Sequence, residues 1–165
     1  MTQASAAPTG HRFTVGQEAP DFQIQDHQGN TVSKQSLLGT RYVLYFYPAA
    51  NTPACNQQAC DFRDHVEDFG TQGLPVYGVS PDSVETLSKF AAKHELNFTV
   101  LADPEHEASV AFGTWGEKKN YGRTYEGLIR STFVINEQGA FDLAQYNVRA
   151  KGHVEKLLRD LQNLG

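Results

Sequence analysis

The chain has 165 residues, enough for one domain with a sizeable core, and its 14 Lys and Arg against 19 Asp and Glu leave a net charge of −5. That sign argues against nucleic acid or an anionic membrane surface as a partner. No stretch approaches the roughly 18 apolar residues of a membrane helix, and residues 1–12 lack the basic start and apolar run of a secretory signal, reading as a disordered leader to one domain over 13–165.

In chain order, Phe22–Gln25 and Thr31–Ser33 flank Gln28-Gly29-Asn30 and predict a hairpin. Tyr42–Tyr47 is an apolar, aromatic run that predicts a buried strand. A helix is expected from Pro53 to Phe69, stopped by Gly70, then a strand over Leu74–Ser80. Asp82 and Ser83 offer a cap for a helix with Val84, Leu87, Phe90 and Ala91 on one side. Phe98–Leu101 predicts a short strand, and the turn at Asp103-Pro104 leads into a helix through Phe112. Leu128–Ile135 reads as one strand interrupted by the charge of Arg130, and Phe133–Ile135 and Phe141–Tyr146 form a hairpin about Gln138-Gly139. Val154, Leu157, Leu158, Leu161 and Leu164 fall on one face of a final helix. Strands alternating with helices imply an α/β fold around a mixed sheet.

The most informative stretch joins the first long strand to the first long helix. Thr52 suits the N-cap and Pro53 the first helical position, where a missing N–H is harmless. Cys55 then lies in the first turn, where Thr52 can cap its amide and its sulfur meets free N–H groups and the positive end of the helix dipole. Such surroundings lower a thiol's pKa from about 8.5 toward 3.5–7.5 and yield the nucleophilic thiolate. The alternative for Cys55 is a small buried hydrophobe.

Cys60, the other cysteine of the chain, follows five residues later. On an intact helix that spacing separates the side chains by roughly 140° and the Cα atoms by roughly 8.7 Å, beyond the ~7 Å a disulfide spans. The pair is either two unrelated thiols or a redox couple that must unwind the helix. With no secretory signal, two cysteines point to a reducing, cytoplasmic compartment in which a disulfide is catalytic.

The string Tyr45-Phe46-Tyr47-Pro48-Ala-Ala-Asn-Thr52-Pro-Ala-Cys55-Asn-Gln-Gln-Ala-Cys60 resembles the active site of peroxiredoxins, and more narrowly of the bacterioferritin-comigratory-protein (PrxQ) subfamily. Ala19-Pro20-Asp21-Phe22, Tyr77-Gly78-Val79-Ser80, the segment Phe112–Lys118 and Arg130-Ser-Thr-Phe133-Val-Ile135 continue the resemblance in order. It implies a thioredoxin-like fold, a central mixed sheet flanked by helices on both faces, with an N-terminal β-hairpin extension. It also implies a thiol-dependent peroxidase that reduces hydrogen peroxide and organic hydroperoxides, an atypical two-cysteine enzyme without metal, haem or flavin. Cys55 would be the peroxidatic cysteine, Thr52 would hydrogen-bond its sulfur and the peroxide, Pro48 would shield the site, and Arg130 would stabilise the thiolate. Cys60 would resolve the sulfenic acid as an intramolecular Cys55–Cys60 disulfide, recycled by thioredoxin or a glutaredoxin-like dithiol donor, in a monomer.

Departures from the subfamily pattern are Ala54 for Gly, Ala49 for Lys and Gln58 for an acidic residue. By itself Arg130 reads as a charge on an edge strand, and Arg63 is the competing guanidinium, with Asp64 or Glu67 as ordinary partners. The histidines are scattered: Cys55, Cys60 and His65 would fan around the helix instead of converging on a zinc ion, and His94-Glu95 and His106-Glu107 read as solvated pairs. Trp115 reads as a packing or wall residue. The rival functions are a thiol–disulfide oxidoreductase, weakened by the absence of Cys-x-x-Cys, and a non-catalytic redox sensor.

Overall fold

The computed structural model describes residues 12–71, 74–120 and 122–163, so residues 1–11 of the expected leader and Leu164 of the final apolar stripe lie outside it. The elements are β1 (Gln23–Asp26), β2 (Thr31–Ser33), α1 (Lys34–Leu37), β3 (Tyr42–Phe46), α2 (Pro53–Thr71), β4 (Val76–Ser80), α3 (Val84–Lys93), β5 (Thr99–Ala102), α4 (Glu107–Ala111), β6 (Trp115–Asn120), β7 (Arg123–Leu128), β8 (Ser131–Ile135), β9 (Phe141–Tyr146) and α5 (His153–Asn163). Seven strands form one sheet in the order β2-β1-β5-β4-β3-β8-β9, and β6 with β7 forms a separate ribbon.

The strands β3, β4 and β5 run parallel, joined by α2 and α3. Both crossovers step the same way across the sheet, and the right-handed rule for such connections puts both helices on one face. Their packing agrees: Phe62 and Phe69 of α2, Leu87 and Phe90 of α3, and Leu157 and Leu161 of α5 share a core with Val43, Tyr45 and Tyr47. The opposite face of β3, Tyr42, Leu44 and Phe46, packs with Phe112, Phe133, Phe141 and Ala108 of α4. Because both faces are covered, β3 is buried throughout and has the continuous apolar sequence of such a strand. The result is the mixed, thioredoxin-like sheet with helices on both faces. The β1–β2 hairpin extends it through an antiparallel β1–β5 pairing.

Local signals explain most boundaries. The hydroxyl of Ser83 accepts from the Thr86 amide and caps α3. The buried Asp103 carboxylate accepts from the Ala108 and Ser109 amides and starts α4. Asn136 Oδ1 accepts from the Gln138 and Ala140 amides, an Asx-type turn that closes β8 onto β9. Gly78 lies opposite Tyr45, where a Cβ would fall 2.8 Å from the tyrosine ring, so glycine lets β4 accept the ring that supports α2.

Three features differ from expectation. The run Leu128–Ile135 is not one strand: β7 ends at Leu128, and the Ile129-Arg130 link leads into β8. Strand β8 pairs on both sides, with β3 and β9, so Arg130 is not an edge-strand charge. The β6–β7 ribbon was not foreseen, because Glu117-Lys-Lys-Asn120 and Arg123-Thr-Tyr-Glu126 carry no apolar alternation.

Candidate active site

The loop that leaves β3 is shaped before its chemistry begins. Asn51 takes a left-handed conformation (φ 63°), which asparagine tolerates better than most residues. The Asp82 carboxylate, beyond the end of β4, accepts from the Ala50 amide at 2.8 Å and from the Ser80 hydroxyl at 2.8 Å. Asp82 thus ties the loop to the sheet while its neighbour Ser83 caps α3, a division of labour the sequence does not reveal. The Thr52 hydroxyl donates to the Ala49 carbonyl at 2.9 Å and does not cap the Cys55 amide as expected. Its lone pairs remain available to a further donor. The half-buried Pro48 ends the run that enters this loop.

Cys55 is in the first turn of α2 and is only 2% exposed. Its Sγ accepts from Arg130 Nη2 at 3.3 Å. The other guanidinium nitrogen, Nη1, donates to Gln58 Oε1, one helical turn after Cys55. Gln58 is fully buried, and its Nε2 has no hydrogen-bond partner. Arg130 is held at its backbone as well, since its carbonyl accepts from the Val148 amide at 2.9 Å and the preceding Ile129 amide donates to Thr114. The guanidinium therefore reaches the thiol from a clamped link, oriented by a neutral amide and not by a carboxylate.

Beneath the thiol, Tyr45 stacks on Phe62 of α2 with ring centroids 4.3 Å apart, and the hydroxyl of Tyr45 is buried without a hydrogen-bond partner. Burial first, then the neighbouring Tyr47 and Cys55, pushes the Tyr45 phenol up, so it stays protonated. His153, 3% exposed, bonds Thr132 Oγ1 at 2.7 Å and faces Phe62 edge-on. Burial, followed by the charges of Lys156 and Arg130, lowers its pKa to about 4, which keeps the ring neutral under the site. A groove of about 680 Å³ runs beside the first turn of α2, lined by Pro53, Ala54, Gln57, Asp61, Gly152 and Glu155 among others.

The structure thus brings together Cys55 and Arg130 from distant parts of the chain and leaves Thr52 and Pro48 in the loop between β3 and α2. Cys60 stays on the same unbroken helix, its thiol free like that of Cys55. Arg63 turns away from Cys55: it pairs with Asp64 at 3.1 Å and donates to the His94 carbonyl at 2.7 Å. Two histidines expected in solvent are instead engaged. His106 stacks on Trp115 at 3.9 Å, and His94 Nδ1 lies 3.9 Å from Cys60 Sγ. Neither contact has a signal in the sequence, because each joins segments brought together only by the fold.

A first-turn thiol facing an arginine on this fold is the arrangement of thiol peroxidases, and the comparisons agree. The chain belongs to the AhpC/TSA family, which matches residues 15–142, and within it to the bacterioferritin-comigratory (Bcp/PrxQ) peroxiredoxins. It is 43% identical over 150 residues to peroxiredoxin Bcp of Bacillus subtilis, covering 91% of this chain and 96% of that one. A Mycobacterium tuberculosis protein that carries the peroxiredoxin name is 53% identical over 150 residues, with the same coverage of 91% and 96%. Among solved structures, the bacterioferritin comigratory protein of Xanthomonas campestris, studied for alkyl peroxide reduction, superposes with a TM-score of 0.84 at 29% identity, over 91% of this chain and 98% of that one.

Proposed function

We propose that the chain reduces hydrogen peroxide and small organic hydroperoxides through Cys55. The observation that carries this reading is the buried Cys55 Sγ at the start of α2, 3.3 Å from Arg130. The guanidinium and the free amides of the first turn place hydrogen-bond donors around the reacting sulfur. The thiolate attacks one peroxide oxygen; the S–O bond forms as the O–O bond breaks, and the alkoxide or hydroxide leaves and takes up a proton. Arg130 stabilises the charge that develops on the leaving oxygen, Thr52 orients the incoming peroxide, and Pro48 shields the sulfur from water.

Cys55 is then a sulfenic acid and Cys60 its resolving partner. Since the two lie five residues apart on one helix, their disulfide requires the first turns of α2 to unwind. A thioredoxin or glutaredoxin-like dithiol restores both thiols by exchange. The rest of the proposal is that residues 13–165 work as one domain, in the cytoplasm, as a monomer. Among the described residues no helix is long and apolar enough to cross a membrane.

The test is the intact mass of the fully reduced protein after one equivalent of hydrogen peroxide, followed by peroxide consumption with a recycling dithiol. The expected product has lost a pair of hydrogens without dimerising, and it turns over many times once the donor is supplied. Cys55→Ser should consume no peroxide above background, whereas Cys60→Ser should complete one turnover and then stall or overoxidise. An unchanged mass would sink the peroxidase reading, and a single turnover in the presence of the donor would favour a redox sensor.

A further inference from the structure

We infer that His94 is a second catalytic residue of this reaction, the base that takes the proton of Cys60 and so prepares the resolving thiol. Its place in the cycle rests on the peroxidase reading above. The pairing itself does not, and its test uses no peroxide.

An ordinary thiol is only a few per cent thiolate at pH 7, so a resolving cysteine without help reacts slowly. Cys60 lies beyond the first turn of α2, where the free amides and dipole that serve Cys55 have faded. What it has instead is His94, whose Nδ1 is 3.9 Å from Cys60 Sγ, within hydrogen-bond reach for sulfur. The other ring nitrogen, Nε2, is buried and has no partner, so the thiol is the polar group to which this imidazole is directed among the described residues. Buried polar atoms left unpaired are rare and call for a reason.

The backbone around His94 is set up for the same purpose. His94 is the C-cap of α3, with its amide bonded to Phe90 and Ala92 carbonyls, so the ring sits at the negative end of a ten-residue helix. The Arg63 guanidinium fixes the His94 carbonyl at 2.7 Å, and Asn97 Nδ2 donates to the Arg63 carbonyl at 3.2 Å, so α2 and the end of α3 are tied at this point. The charged groups around the pair are Arg63, with its partner Asp64, on α2 and Glu95 after the end of α3, and Lys93 precedes His94 in the last turn of α3.

The step balances simply. While α2 is folded, the Cys60 S–H proton passes to His94 Nδ1, since only the folded helix keeps the two in contact. On unwinding, the Cys60 thiolate attacks the sulfur of the Cys55 sulfenic acid. The S–S bond forms, the S–O bond breaks, and the departing hydroxide takes up a proton to become water. Cys60 sulfur is oxidised as Cys55 sulfur is reduced.

The test begins with Cys55→Ser, in which Cys60 is the single thiol, and follows thiolate absorbance in the ultraviolet from pH 5 to 10. Adding His94→Asn keeps a polar atom near the Nδ1 position without its basicity. The expected result is a titration displaced upward by about one pH unit, with about tenfold less thiolate at pH 7. Reciprocally, the His94 ring titration seen by NMR in the otherwise unaltered chain should move when Cys60 becomes serine. In single turnovers His94→Asn should leave Cys55 oxidation by peroxide at its normal rate, slow the disulfide, and raise the yield of sulfinic acid. A thiol titration that stays in place overturns the proposal, even if the disulfide forms more slowly, because a merely structural His94 would do that too. Failure of Cys55 to oxidise would overturn the peroxidase reading instead and leave the His94–Cys60 linkage intact.

Discussion

The two ends of one short stretch of α2 are held in opposite ways. At Cys55 the sulfur is buried, and its cationic partner arrives from the β7–β8 link, clamped at its backbone and braced by Gln58. At Cys60 the sulfur is half-exposed, and its partner His94 belongs to the end of α3, joined to α2 by Arg63 and Asn97. Side-chain order of the first kind suits a nucleophile that must meet a small substrate in a fixed geometry. The second kind suits a group that leaves its place, as the proposed resolving role of Cys60 requires. Both ends rest on the same base, the Tyr45–Phe62–His153 layer over the sheet.

The contrast can be broken most severely at its rigid end. Arg130→Met should slow oxidation of Cys55 by hydrogen peroxide by roughly 100-fold or more, since it removes the donor aimed at the reacting atoms. Stopped-flow peroxide consumption checks this, and a change under threefold would contradict the role of Arg130. The base gives the next largest effect. The unfolded chain takes up a proton on His153 near pH 6.5, but the folded chain does so only near 4. The unfolded state therefore binds more protons between those values, and stability is lost as pH falls through that window, by about 3 kcal/mol at its lower end. Denaturant unfolding at pH 7 and pH 4 should show His153→Gln losing less stability across the window than the parent chain.

Gly78→Ala would press a methyl against the Tyr45 ring and should cost about 1–3 kcal/mol by the same unfolding assay. Both thiols should weaken together in that variant, because it disturbs what they share. The finest probe is Gln58→Met, which keeps the buried volume but removes the amide oxygen that braces Arg130. Loss of that brace should lower the oxidation rate of Cys55 at pH 7 by about tenfold and leave the reactivity of Cys60 in place. Equal losses at both cysteines would mean that the two environments are not independent.

Legibility in the sequence follows how local each feature is. The Cys55 turn, with Thr52, Pro53 and the preceding apolar strand, is readable because a helix start is written in adjacent residues. Arg130 was accessible only through family resemblance; the residues around it suggest a continuous strand and an edge charge, and neither is present. Asp82 looked like a helix cap beside Ser83, and only the fold shows it reaching back to Ala50. His94 looked solvated because its neighbour Glu95 is charged, while the contact that matters crosses from α3 to α2. The β6–β7 ribbon has no signal in the sequence because Glu117–Asn120 and Arg123–Glu126 lack apolar alternation, and only its base, Trp115 and Leu128, joins the core.

The length of α2 has a kinetic consequence. In the proposed cycle the unwinding falls before Asp61, and the remainder through Thr71 is pinned by Phe62 and Phe69, both fully buried. Starting a helix is the slow and unfavourable event, whereas adding residues to an existing one takes about nanoseconds each. Once a reductant cleaves the proposed disulfide, the opened turns would re-form on a template that never melted, so the reset of the site would not limit turnover.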